Sequence, residues 1–224
     1  TGTMTTFSLK LCALLLVLAA SGNALADHNF GVGVKAGTLG LGVEGTWRPL
    51  PYLDLRAGVN QYDYNDSGFY GGINYDAEIS LDNYYVTGNL RFPLSPFRLT
   101  GGLYSNGNEF NAVSGDNGAI ILVGGDPYPA AAVGTLSATA AFDSTSPYFG
   151  VGFDFTLLGK VGMNLDFGVL WQGSPQISMA TDGLLSGDPT FEASLDAERA
   201  ELENELGDYK AWPVVSLGFV FNFL

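Results

Sequence analysis

Trp212-Pro213-Val214-Val215-Ser216-Leu217-Gly218-Phe219-Val220-Phe221-Asn222-Phe223 alternates along its whole length. Pro213, Val215, Leu217, Phe219, Phe221 and Phe223 share one face, while Val214, Ser216, Gly218, Val220 and Asn222 share the other. Side chains of a strand alternate between its two faces, so this is the period of a β-strand. Val161–Gln172 repeats it, with Met163, Leu165, Phe167, Val169 and Trp171 against Gly162, Asn164, Asp166 and Gly168. Phe149, Val151, Phe153 and Phe155 stand against Gly150, Gly152 and Asp154, and Leu53, Leu55, Ala57 and Val59 against Asp54, Arg56, Gly58 and Asn60. A soluble sandwich buries its large residues and exposes charge. Here the second face is small and polar instead, the pattern of a barrel with lipid outside and a polar interior.

Working outward, the same period marks strands at 29–37, 41–48, 53–64, 82–92, 97–106, 147–156, 161–172 and 212–223. This predicts an all-β chain, an eight-stranded antiparallel transmembrane β-barrel with long extracellular loops and one short loop helix. Pro49–Pro51, Pro93–Pro96 and Leu157–Lys160 are short, as periplasmic turns should be; 65–81, 107–146 and 173–211 are long, as extracellular loops should be. The tight connection near Thr38-Leu39-Gly40 leaves an alternative in which 29–48 is one bulged strand and 133–143 supplies the eighth. Aromatic residues fall at both expected boundaries: Trp47, Phe92, Phe97, Phe155, Phe221 and Phe223 on the periplasmic side, and Tyr62, Tyr84, Phe149 and Trp171 on the other. Aromatic rings settle at membrane–water interfaces.

The 224 residues carry 9 Lys+Arg and 23 Asp+Glu, a formal charge of −14. That excludes nucleic acid as a partner, since phosphate neutralisation needs a basic face. Hydrophobic residues at 46% and charged residues at 14% exclude generic disorder. The one cysteine excludes a disulfide framework and multi-cysteine metal sites. Residues 1–26 contain no acid and run from Lys10 through the apolar stretch Leu11–Ala20 to Ala24-Leu25-Ala26, the order of a cleaved secretory signal. The apolar stretch is far short of the ~20 residues of a spanning helix. Residues 1–3 precede Met4 and are candidates for non-native additions, and 27–224 form the barrel domain.

Several motifs dissolve on inspection. Gly40-Leu41-Gly42-Val43-Glu44-Gly45 matches G-x-G-x-x-G, but it lies within an alternating strand and no helix follows. Asp63–Gly68 resembles the start of a calcium loop, yet Asn74 stands where the bidentate glutamate belongs. His28, the single histidine, has no companion nucleophile. The sequence therefore predicts no enzyme, no cofactor and no metal. The inward charges carry more weight: Lys35, Glu44, Asp54, Arg56, Arg91, Arg98, Asp154 and Asp166 all fall on the small, polar face. Eight strands enclose room for little beyond side chains, so these groups must meet one another. They form either a paired plug or a charged constriction selective for small ions and zwitterions. Residues 190–206 read as a helix that Asp188 can cap, with Pro189 suited to its first position and Gly207 to its end. Its stripe of Phe191, Leu195, Leu202 and Leu206 is expected to pack on the barrel mouth or a neighbouring loop.

Ser146–Phe153, Gly168–Pro175 and the acidic segment closing on Tyr209–Val214 resemble the CarO family, and Val32–Gly45 and Pro51–Leu53 do so more loosely, together with OmpA-type barrels. The resemblance implies an eight-stranded barrel in the outer membrane of a Gram-negative bacterium, without cofactor. It also implies a narrow passive channel for small polar, zwitterionic or cationic solutes such as amino acids. The alternative is a closed structural or surface-interaction barrel. Expected partners are outer-membrane lipid and lipopolysaccharide, small polar solutes and the barrel-assembly machinery.

Overall fold

A computed structural model describes residues 30–70, 73–114, 120–158 and 160–223. The expected signal over 1–26, with Cys12, and His28 lie outside the described residues. The chain runs β1 (Phe30–Gly37), β2 (Gly40–Leu50), β3 (Leu53–Tyr70), β4 (Ile73–Arg91), β5 (Phe97–Asn106), β6 (Glu109–Ser114), β7 (Ile120–Val123), β8 (Asp126–Pro129) and the short helix α1 (Ala130–Val133). It continues through β9 (Leu136–Ala141), β10 (Thr145–Leu158), β11 (Val161–Trp171), β12 (Gln176–Thr181), helix α2 (Pro189–Leu206) and β13 (Ala211–Phe223).

Eight strands close the barrel in the order β1-β2-β3-β4-β5-β10-β11-β13, every neighbour antiparallel, with β13 returning to β1 from Phe30↔Phe223 to Gly37↔Ser216. Closure leaves no edge strand in the wall, so every ladder group there is paired inside the protein, the condition for crossing lipid. The outward face carries Val34, Leu41, Val86, Leu103, Phe149, Phe167 and Leu217, all exposed. At the short-turn end, aromatic rings meet: Phe30 stacks on Trp47 at 6.3 Å, Phe92 lies 5.4 Å from Phe97, and Phe221 meets Phe223 edge-on at 5.5 Å. Tyr62, Tyr84, Phe149 and Trp171 are exposed toward the other end.

The single-strand alternative for 29–48 is overturned. β1 and β2 form a hairpin from Phe30↔Trp47 to Gly37↔Gly40, turning through Thr38-Leu39. Gly40 holds φ at +94°, a conformation that costs glycine little and other residues much. The Thr38 hydroxyl donates to the Pro213 carbonyl at 2.8 Å and tethers the turn to β13. Segment 133–143 accordingly supplies β9, which lies outside the barrel between β6 and β12.

The long loops depart most from expectation. β3 and β4 stay paired from Leu53↔Leu90 to Tyr70↔Ile73, well beyond the roughly ten residues that cross a bilayer. Residues 65–81, expected as loop, are thus largely the outer half of that hairpin. β4 changes partner on the way out, pairing β5 from Arg91↔Arg98 to Asn83↔Asn106 and then β6 from Ser80↔Glu109 to Tyr75↔Ser114. β9 and β12 extend this into a sheet β3-β4-β6-β9-β12 above the barrel.

A second apolar core lies in this crown. Ile121 and Val123 of β7, Val133 of α1, and Phe191 and Leu195 of α2 are buried together. The Phe191 and Tyr128 rings meet at right angles, 5.0 Å apart. Asp188 caps α2 by accepting from the amides of Thr190 (2.9 Å) and Phe191 (3.1 Å), and Pro189 opens its first turn. Gly207 ends the helix at an ordinary φ of −60°, so its freedom is unused there. The expected stripe splits: Phe191 and Leu195 enter the core against the neighbouring loop, while Leu202 and Leu206 are half-buried. Phe191→Ala removes a fully buried ring, worth about 3–5 kcal/mol. The expected outcome is new protease cleavage within 107–144 and 172–210, while the barrel keeps its folded gel mobility; uncut loops would count against a shared core.

Candidate functional site

Strand parity fixes what enters the lumen, and glycine decides how much fits. A Cβ on Gly150 or Gly168 would stand within 3 Å of the Tyr148 phenol, and one on Gly152 would reach the Arg98 guanidinium. Large inward side chains therefore lie over wall positions with no side chain at all.

The lumen is filled in two layers. Toward the crown, Leu39, Tyr85, Tyr104, Tyr148, Leu170 and Val214 are buried in one cluster, with Trp212 against it. Tyr85 stacks on Tyr104 at 4.9 Å, and Tyr104 lies 5.3 Å from Tyr148. Between them and the groups beneath lies a void of about 10 Å³.

The second layer is ionic and joins seven of the eight charges expected to face inward. Asp154 is its hub. Its carboxylate accepts from Arg98 Nε at 3.1 Å and from Arg56 Nη2 at 3.2 Å, and it pairs with Arg91 Nη2 at 2.7 Å. Arg91 Nε also donates to Asp54 at 2.6 Å, and Arg56 reaches Glu44 at 3.4 Å and Asp54 at 3.5 Å. Arg98 is fully buried: Nη2 pairs with Asp166, and Nη1 donates to Asn89 (2.8 Å) and Thr100 (2.7 Å). Glu44 further accepts from the Tyr85 hydroxyl at 2.9 Å and Asn164 at 3.3 Å, which couples the two layers. Lys35, the eighth residue, sits elsewhere, with Nζ 4.0 Å from the centroid of the Tyr85 ring. An ammonium over an aromatic face is held by the ring's quadrupole.

The expectation from sequence left out Arg48 and the tyrosines. Arg48 shares the inward parity of Glu44 and Thr46, but it is followed by Pro49, where the alternation stops. The three tyrosines were legible by parity alone and carried no charge to single them out. Arg48, Arg56 and Arg91, with Asp54, Asp154 and Asn222, line a cavity of about 250 Å³ at the short-turn end. Among the described residues, no three of His, Cys, Asp and Glu gather so as to hold a metal ion.

No protein-family model matches the chain, and no curated protein matches it. Solved structures do. The crystal structure of Acinetobacter baumannii CarO aligns over 86% of this chain and 97% of its own at 21% identity, with a TM-score of 0.57. That of Acinetobacter baumannii CarO2 aligns over 88% and 99% at 22% identity, with a TM-score of 0.59. The CarO resemblance read from the sequence thus reappears as a shared fold. By that shared fold the chain is a closed eight-stranded antiparallel β-barrel, and its apolar exterior is the pattern of a barrel that meets lipid.

Asp154→Asn keeps the shape of the hub and removes its charge, leaving three buried or half-buried guanidinium groups facing one another. Stripping one partner from a buried ionic cluster costs about 3–5 kcal/mol. The urea midpoint of the refolded barrel should fall by a corresponding amount, whereas Asp196→Asn, at an exposed pair with Arg199, should leave it unchanged.

Proposed function

We propose that this outer-membrane barrel is closed at rest and serves as a rigid base that holds a folded, acidic crown at the cell surface. The observation that carries this reading is the filled lumen: a tyrosine layer stacked on an arginine–carboxylate layer, with a void of only about 10 Å³ between them. The crown carries a core of its own and exposes the acid-rich outer side of α2. Surface sheets and helices of this kind present fixed side chains to a partner, and the acids favour cationic ones.

A second reading, passive conduction of small polar solutes, is favoured by the cavity of about 250 Å³ on the periplasmic side and by the fold shared with the CarO structures. Conduction then requires both layers to rearrange, with arginines exchanging carboxylate partners. Acidic crown residues would bias such a path toward zwitterionic and cationic solutes.

Solute uptake into liposomes separates the two. The closed barrel gives ornithine, glycine and glutamate fluxes equal to protein-free controls. Tyr148→Ala and Arg56→Ala, which thin the two layers, raise flux and lower the unfolding midpoint together. Wild-type flux favouring ornithine over glutamate would overturn the closed reading and establish the channel.

A further inference from the structure

We propose that the periplasm-facing cavity is a binding site for one small polar monocarboxylate, held chiefly by Arg48. This goes beyond the closed-barrel reading and does not depend on conduction.

Three arginines line the cavity, Arg48, Arg56 and Arg91, against two aspartates, Asp54 and Asp154. Both aspartates are already ion-paired, Asp54 with Arg91 and, at 3.5 Å without a hydrogen bond, with Arg56, and Asp154 with Arg56, Arg91 and Arg98. Arg48 joins none of these pairs, and its Nε is buried without a hydrogen-bond partner among the described residues. The wall therefore carries one positive charge in excess, and a single monoanion balances it. A dianion would leave a surplus beside two fixed carboxylates.

Geometry and size narrow the class. A guanidinium presents parallel N–H donors that match a carboxylate bidentately, a fit that chloride cannot use. The space of about 250 Å³ lies below the usual range for drug-sized ligands, roughly 300–1,000 Å³, and well above the ~30 Å³ share of one water. Thr46 and the Asn222 side-chain oxygen add polar groups to the same wall, suited to a hydroxyl or second polar group on the ligand. The tyrosine layer closes the other end, so the ligand enters and leaves from the periplasm.

The test uses the full refolded protein in detergent micelles, with sodium lactate as probe and sodium chloride at matched ionic strength as reference. Protonated ethanolamine, of similar size, is the cationic control. Lactate should raise the thermal midpoint saturably, as expected for a ligand of the folded state, while ethanolamine should not. Arg48→Gln should weaken lactate binding about tenfold or more, as loss of a charged hydrogen-bond pair does. Asn222→Asp, which adds a carboxylate to the wall and leaves Arg48 itself unchanged, should weaken it likewise and serves if Arg48→Gln does not refold. Lactate acting no better than chloride, or binding unchanged in either variant, would overturn the proposal. Liposome flux is read separately, so loss of the site and loss of the closed-barrel reading remain distinct results.

Discussion

One carboxylate facing three guanidinium groups organises the interior. Asp154, on β10, is bound by Arg56 from β3, Arg91 from β4 and Arg98 from β5, so the lumen is crossed by ion pairs rather than lined by them. An eight-stranded barrel has room for side chains and little else. Any charge it encloses must find its counterpart within that space, because unpaired burial is expensive and water cannot follow in bulk. Matching alone would not suffice. Arg98 and Tyr148 fit because Gly152, Gly150 and Gly168 leave the wall bare beneath them. The glycine-rich inner face and the bulky inner residues are two halves of one packing solution.

The two layers differ in what holds them. The tyrosine layer is apolar and stacked, and its hydrogen bond to Glu44 ties it to the network below. The ionic layer is a mesh in which most members have more than one partner. Removing a member of the mesh therefore reaches several strands at once, whereas thinning the aromatic layer is a local change. Lys35 belongs to neither set wholly, since its charge rests on the face of Tyr85.

The barrel was legible in the sequence because a period of two over ten residues has few other meanings. All eight wall segments and seven of the interlocking charges follow from parity. Arg48 escaped because it stands at a strand end, next to a proline, where parity loses its grip. The crown escaped for another reason. Asn65-Asp66-Ser67-Gly68 has the composition of a turn, yet it continues β3, held there by the ladder to β4 rather than by its own propensity. β6, β9 and β12 are short, and Leu136–Ala141 is built of small residues that show no clear alternation. Such strands are made by their neighbours. The contact of Phe191 with Tyr128 spans two loops, and no local pattern could pair them.

The crown core also bears on how the wall strands are tied together. Its parts come from the segments before β10 and after β11, so that hairpin lies between them in the chain. Both segments must stand at the same end of the barrel for Phe191 to meet Ile121 and Val123. The shared core thus staples the chain on either side of two wall strands, so the barrel ring and the crown are joined through more than the strands that pass between them.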